Sequence, residues 1–204
     1  MERFAGIPEL TEHAGPIVIG AVVRVVPIKD NVTLLRAFFL VHRALPETEL
    51  YVMGNMEEDP EYVALCKRTV ETLGIEGVTF TGSIDVAAYL PRMDVLVLSS
   101  ISEGQPLSVL EGFAVHRPYV TTDVGCCREL IYGDSTDTLG TAGAVVAPMD
   151  YEAMAREILR LARDYKLRKE MAAVGYERCR RGYTYEHFIA SYRRIYEEEG
   201  QVRR

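Results

Sequence analysis

The residues best suited to chemistry fall in three short stretches. Arg24 and Lys29 lie five positions apart, the first inside a β-branched run and the second in the turn that follows it. A guanidinium in a buried strand is costly unless it is paired. Given an anion, arginine offers forked hydrogen bonds and lysine a point charge, so the two can clamp a diphosphate. They suit equally well an internal salt bridge beside a solvated lysine. The second stretch runs from Ser99 through Glu103, Gly104, Gln105 and Pro106 to Leu107. Its small residues let backbone approach a ligand closely, and the helix start that follows offers N–H groups to negative charge. Pro106 removes one donor, which leaves the amides of Gln105, Leu107 and Ser108. Glu103 in the loop and Glu111, eight positions on and within the helix, are each acceptors for two sugar hydroxyls. Alternatively, Glu103 caps its own helix and Glu111 meets an arginine on a neighbour. The third stretch is Asp123 to Glu129, where Gly125 permits a tight turn and the amides after it can add to an anion site.

These stretches must be positioned by a regular scaffold, and the hydropathy pattern supplies one. Apolar runs of strand length alternate with segments of helical period. Ile17 to Val26 is a β-branched run expected to be buried on both faces. Asp30 or Asn31 caps a helix with Leu34, Leu35, Phe38, Val41 and Leu45 at helical spacing. Leu50 to Met53, Val78 to Thr81, Asp94 to Ser99, Tyr119 to Thr122 and Ala144 to Val146 read as further strands. Helices are expected from Glu61 to Leu73, from Val86 to Leu90 and from Pro106 to about Val115. From Asp150 the chain reads as helix, broken near Asp164 and around Gly182-Tyr183. This alternation predicts an α/β fold, a Rossmann-like parallel sheet with helices on both faces. In such sheets ligands bind outside the carboxyl ends of the strands, where all three stretches lie.

Composition narrows the function further. With 48% apolar and 26% charged residues, the 204-residue chain reads as a globular protein. Its 23 basic and 30 acidic residues give a net charge of −7, which disfavours nucleic acid as a partner. Arg178, Arg180 and Arg181, near the end of a helix, read as a solvated face. The four cysteines lack C-x-x-C spacing and the four histidines are scattered, so neither a metal site nor a disulfide framework is expected. Cys126-Cys127 reads as a pair of small, partly buried thiols at a helix start, in preference to a reactive site. No signal-peptide pattern or membrane-length apolar run is present, and a cytoplasmic location is the expectation. A glycosidase acid–base pair is disfavoured because nothing suggests a barrel or sandwich, and a dinucleotide oxidoreductase because no G-x-G-x-x-G follows the first strand.

Taken in register, these residues resemble glycosyltransferase family 4 (group 1), in its C-terminal donor-binding domain. The resemblance rests on Val23-Arg24-Val25-Val26-Pro27-Ile28-Lys29-Asp30, on Val78 to Gly82, on Ser102 to Glu111, and on Thr122-Asp123-Val124-Gly125 with Arg128-Glu129-Leu130-Ile131. It covers about residues 17 to 198, and is most like the branch that makes Pel-type exopolysaccharide from UDP-glucose. It implies one half of a two-domain GT-B architecture and retaining transfer without a metal or cofactor, the donor being a UDP-sugar. By resemblance Arg24 and Lys29 neutralise the diphosphate, Glu103 holds the donor sugar's hydroxyls, and Glu111 binds the ribose. The Gly104 to Leu107 backbone and Ser108 would face sugar and phosphate, and Thr81-Gly82-Ser83 the base. Three departures stand out. His116 occupies a helix C-cap where relatives have glycine, Gly112 sits inside the helix, and Cys126 replaces a second glycine.

Residues 1–204 are expected to form one nucleotide-sugar-binding domain, with 1–16 as a lead-in. The helix of 183–198 is expected to pack on an N-terminal GT-B domain absent from this chain. Its exposed apolar residues should otherwise promote self-association, and the fragment alone is expected to bind donor without transferring it. Two other readings share the architecture: a nucleotide-binding or partner-docking module without catalysis, and a nucleotide-sugar epimerase.

Overall fold

A computed structural model describes residue 4 and residues 6–202, with side chains described as far as residue 197. Six strands form one parallel sheet: β1 (Ile17–Val22), β2 (Thr48–Met53), β3 (Val78–Gly82), β4 (Val95–Leu98), β5 (Tyr119–Thr122) and β6 (Gly143–Val146). Their order across the sheet is β3-β2-β1-β4-β5-β6, and every neighbouring pair is parallel. The connecting helices are α1 (Asn31–Ala44), α2 (Pro60–Leu73), α3 (Val86–Tyr89), α4 (Leu107–Ala114) and α5 (Cys127–Tyr132). Three more close the chain: α6 (Tyr151–Arg163), α7 (Tyr165–Gly182) and α8 (Tyr185–Val202). Helix α1 packs on α2 and α6, while α4 and α5 pack on α7. The two layers cover opposite faces, and all four residues of β4 and of β5 are buried.

Local sequence explains where the helices begin. Asp30, Asp59, Asp150 and Asp164 each cap a helix by accepting from a backbone N–H three residues on. Gly74, at φ 61°, ends α2 in the left-handed conformation. His116 takes the same conformation at φ 55° without being glycine, and its ring stacks on Tyr176 with centroids 3.8 Å apart. That packing offsets part of the strain a side chain incurs there.

Two expectations need correction. The β-branched run extends to Val26, but the strand ends at Val22. Beyond it the chain is zipped to the exit of β2 through Val23 N to Met53 O (2.9 Å) and Val25 N to Asn55 O (2.8 Å). Val23, Val25 and Val26 stay buried, whereas Arg24 between them turns outward. Arg178 is not on a solvated face: it is 4% exposed. Its guanidinium donates to Asp137 (2.6 Å) and to the carbonyls of Leu130, Ile131 and Gly140, clamping the α5–β6 connection onto α7. Arg180 and Arg181 are exposed and pair with Glu177.

Gly112 illustrates packing overriding propensity. A Cβ there would overlap Leu96 Cδ1 and Tyr119 Cε2, because α4 lies directly on the sheet. Helix propensity alone predicts that Gly112→Ala stabilises by about 1 kcal/mol. Overpacking predicts instead a loss of about 1–3 kcal/mol, measurable by urea denaturation.

Candidate functional site

The strand order reverses between β1 and β4, whose following helices α1 and α4 lie on opposite faces of the sheet. This switch point opens a cleft at the carboxyl edge. The cleft has a volume of about 390 Å³; its polar rim includes Arg24, Lys29, Ser83, Glu103, Gln105 and Ser108, and Val22, Met53, Val86 and Leu98 wall its floor.

The loop between β4 and α4 is stitched to both neighbours. Ser99 Oγ donates to Lys29 O (2.8 Å) and Ile101 N to Ile28 O (2.9 Å), fixing it to the turn before α1. Thr122 Oγ1 donates to Ser100 O (2.7 Å) and Cys126 N to Gly104 O (3.0 Å), fixing it to the loop after β5. Gly125, at φ 52°, passes so close that a Cβ would overlap the carbonyl oxygens of Glu103 and Gly104. These bonds hold Glu103 at the cleft, where Lys29 Nζ donates to its Oε1 at 2.5 Å and Ser100 Oγ to the same atom at 2.6 Å. The lysine and glutamate side chains are only 18% and 12% exposed. With both donors on Oε1, Oε2 makes no hydrogen bond among the described residues.

Arg24 reaches the rim from the other side. Its Nη1 donates to both carboxylate oxygens of Glu58, at 2.5 and 2.6 Å, with the two side chains 50% and 46% exposed. The sequence-based expectation of a buried guanidinium is thus corrected: the arginine is solvent-accessible and ion-paired.

Of the residues singled out from sequence, Arg24, Lys29, Glu103, Gln105, Pro106, Leu107, Ser108 and Ser83 line one cleft. Glu111 lies one helical turn beyond Leu107 on the same helix, half-buried, and its charge acts on the buried phenol of Tyr119. Gly104 sits in the stitched loop beside Glu103. Thr81 and Gly82 stand just behind the rim, with Thr81 Oγ1 donating to Gly82 O (2.9 Å) and Gly82 O accepting from Gly54 N (3.0 Å). The helix-start donors expected from Gln105, Leu107 and Ser108 are at the cleft, and Pro106 is the N-cap. The donors expected after Gly125 are not available: Cys126 N bonds Gly104 O, and Cys127 N bonds Val124 O. Glu103 does not cap α4, whose N-cap has no side-chain bond.

Two contributors escaped the sequence reading. Ser100 orients Glu103, and its position three residues upstream in the same loop was the available signal. Glu58 pairs with Arg24 across 34 residues, which no local pattern announces. Among the described residues no group of three or more His, Cys, Asp or Glu is placed to hold a metal. No helix there is long and apolar enough to cross a membrane.

A parallel α/β sheet with a cation- and carboxylate-lined cleft at its switch point defines the class as Rossmann-like α/β domains. Comparison with known proteins narrows it. The family model for glycosyl transferases group 1 matches residues 16–164, and the chain belongs to that family. Putative glycosyltransferase EpsD of Bacillus subtilis (strain 168) is 30% identical over 149 residues, covering 72% of this chain and 36% of that protein. The chain therefore spans about a third of the length of this relative. Among solved structures, Anabaena HepE in complex with UDP and glucose superposes with a TM-score of 0.73 at 20% identity, over 81% of this chain and 44% of that one. The C-terminal domain of a glycosyl transferase group 1 protein, LpcC from Francisella tularensis, gives 0.74 at 24% identity over 84% and 88%. At these identities the likeness is one of fold: the C-terminal half of a GT-B glycosyltransferase.

The two cysteines that follow Gly125 are suppressed as nucleophiles. Burial raises the Cys127 thiol to about 11, with the neighbouring Cys126 adding to the effect. Burial, then the charge of Glu129, raises Cys126 as well. Both are neutral thiols near pH 7, and the Cys127 thiolate forms only toward pH 11. Iodoacetamide at pH 7.5 should modify them much more slowly in the folded chain than in urea, as read by mass spectrometry; equal rates would contradict the assignment.

Proposed function

We propose that the chain is the donor-binding part of a retaining, metal-independent glycosyltransferase that takes a UDP-sugar, UDP-glucose by preference, in polysaccharide synthesis of the Pel type within the cytoplasm. The observation that carries this reading is the convergence of Arg24, Lys29, Glu103 and the start of α4 on one cleft. Cations and helix amides at a cleft rim suit a diphosphate. Negative charge grows on that diphosphate as the glycosidic bond breaks, so fixed cations and N–H groups stabilise the transition state more than the ground state. The Oε2 of Glu103 then accepts from the donor sugar's hydroxyls, and Glu111, a turn along α4, from the ribose. The Thr81-Gly82-Ser83 turn meets the base. Support for the nucleotide and for glucose comes from HepE, whose complex contains both. The Pel-type branch rests on the runs Arg24 to Asp30 and Ser100 to Leu107.

The acceptor side belongs to a second domain, and α8 is the element that meets it. Tyr185, Phe188, Tyr192, Ile195 and Tyr196 are between 49% and 74% exposed along this helix. Contiguous apolar surface of this kind marks an interaction site.

Calorimetric titration with UDP, UDP-glucose, GDP-mannose and NAD tests the donor assignment. The uridine nucleotides should bind and the other two should not. Arg24→Ala and Glu111→Ala should each weaken UDP by about 10-fold or more, as loss of a charge-assisted hydrogen bond does. Unchanged affinity in both variants would overturn the site. For the helix, sedimentation velocity should show concentration-dependent association of the wild type, reduced in Phe188→Ser/Tyr192→Ser. A wild type that stays monomeric at high concentration would count against an interaction face.

A further inference from the structure

We infer that Glu58 is the counter-ion that Arg24 exchanges for a nucleotide's diphosphate. This rests on the functional reading above and adds a residue that tunes it. Both ends of the pair are positioned by backbone. Arg24 lies between Val23 and Val25, whose amides bond the carbonyls of Met53 and Asn55, and its own carbonyl accepts from Asn31 Nδ2 (3.3 Å) and Val26 N (3.1 Å). Glu58 follows in the loop leaving β2, which turns where Glu57 N donates to Asn55 Oδ1 (2.6 Å). Asp59 is committed to capping α2 through Tyr62 N, so Glu58 is the carboxylate of this loop delivered to the arginine.

The geometry is one of a partner held in waiting. Arg24 lines the cleft but Glu58 does not. Both contacts fall on Nη1, which leaves the Nε and Nη2 donors of the guanidinium without partners among the described residues. At about half exposure each, the pair is worth little and is screened by water. A diphosphate at the α4 N-terminus carries more charge than one carboxylate and can take the guanidinium over. The second cation behaves differently: Lys29 and Glu103 are largely enclosed and both line the cleft. Glu58 is therefore an anion that opposes diphosphate binding, and it recaptures Arg24 when the nucleotide leaves.

Glu58→Gln keeps the shape and removes the charge. Calorimetry should show UDP binding about two- to five-fold tighter than wild type, the range of an exposed ion pair. Uridine, which lacks phosphate, should bind both alike by NMR titration. The gain should vanish when Arg24→Ala is compared with Arg24→Ala/Glu58→Gln. Unchanged or weaker UDP binding in Glu58→Gln, or a gain that persists without Arg24, would overturn the exchange while leaving the donor assignment standing. A wild-type chain that binds no UDP would overturn both.

Discussion

The ion pair between Lys29 and Glu103 is the contact on which the cleft depends. It joins loops 74 residues apart in sequence, one leaving β1 and the other leaving β4, across the point where the sheet changes direction. Separating two largely enclosed charges by deleting one leaves the other uncompensated, at a cost of about 3–5 kcal/mol for buried pairs. The hydroxyl of Ser100 and the backbone bonds between the loops fix where the pair sits. Everything else at the rim is arranged around it: the start of α4 beyond Pro106, the Ser83 turn opposite, and Arg24 on the outer wall.

The scaffold that delivers these groups follows from elementary constraints. Parallel strands need crossovers, right-handed crossovers place α1 and α2 on one face, and the step from β3 back to β4 puts α4 and α5 on the other. Capping aspartates start five of the described helices, and α4 lies close to the sheet because Gly112 has no side chain. The loops at the carboxyl edge are then free to carry polar residues without disturbing the core.

Much of this was legible in the sequence. Strand and helix order, the helix breaks at Asp164 and Gly182, and the left-handed stop at Gly74 follow from hydropathy period and cap chemistry. Three of the four charged residues assigned to the site line a single cleft, and Glu111 is a helical turn away. Most of the misses share one cause, partners remote in sequence. The run to Val26 remains buried, but its exit from the sheet is set by hydrogen bonds to Met53 and Asn55, so Arg24 emerges to meet Glu58. Arg178 looks like one of three surface charges until the loop containing Asp137 folds against it. The amides after Gly125 look available until Gly104 is seen to use the first of them.

A crystal structure of the chain with UDP is the most direct measure of the central claim. The diphosphate should lie within hydrogen-bonding distance of Arg24, Lys29 and the first amides of α4, with Arg24 released from Glu58. UDP seated elsewhere, with Arg24 still turned to Glu58 and the cleft empty, would contradict it.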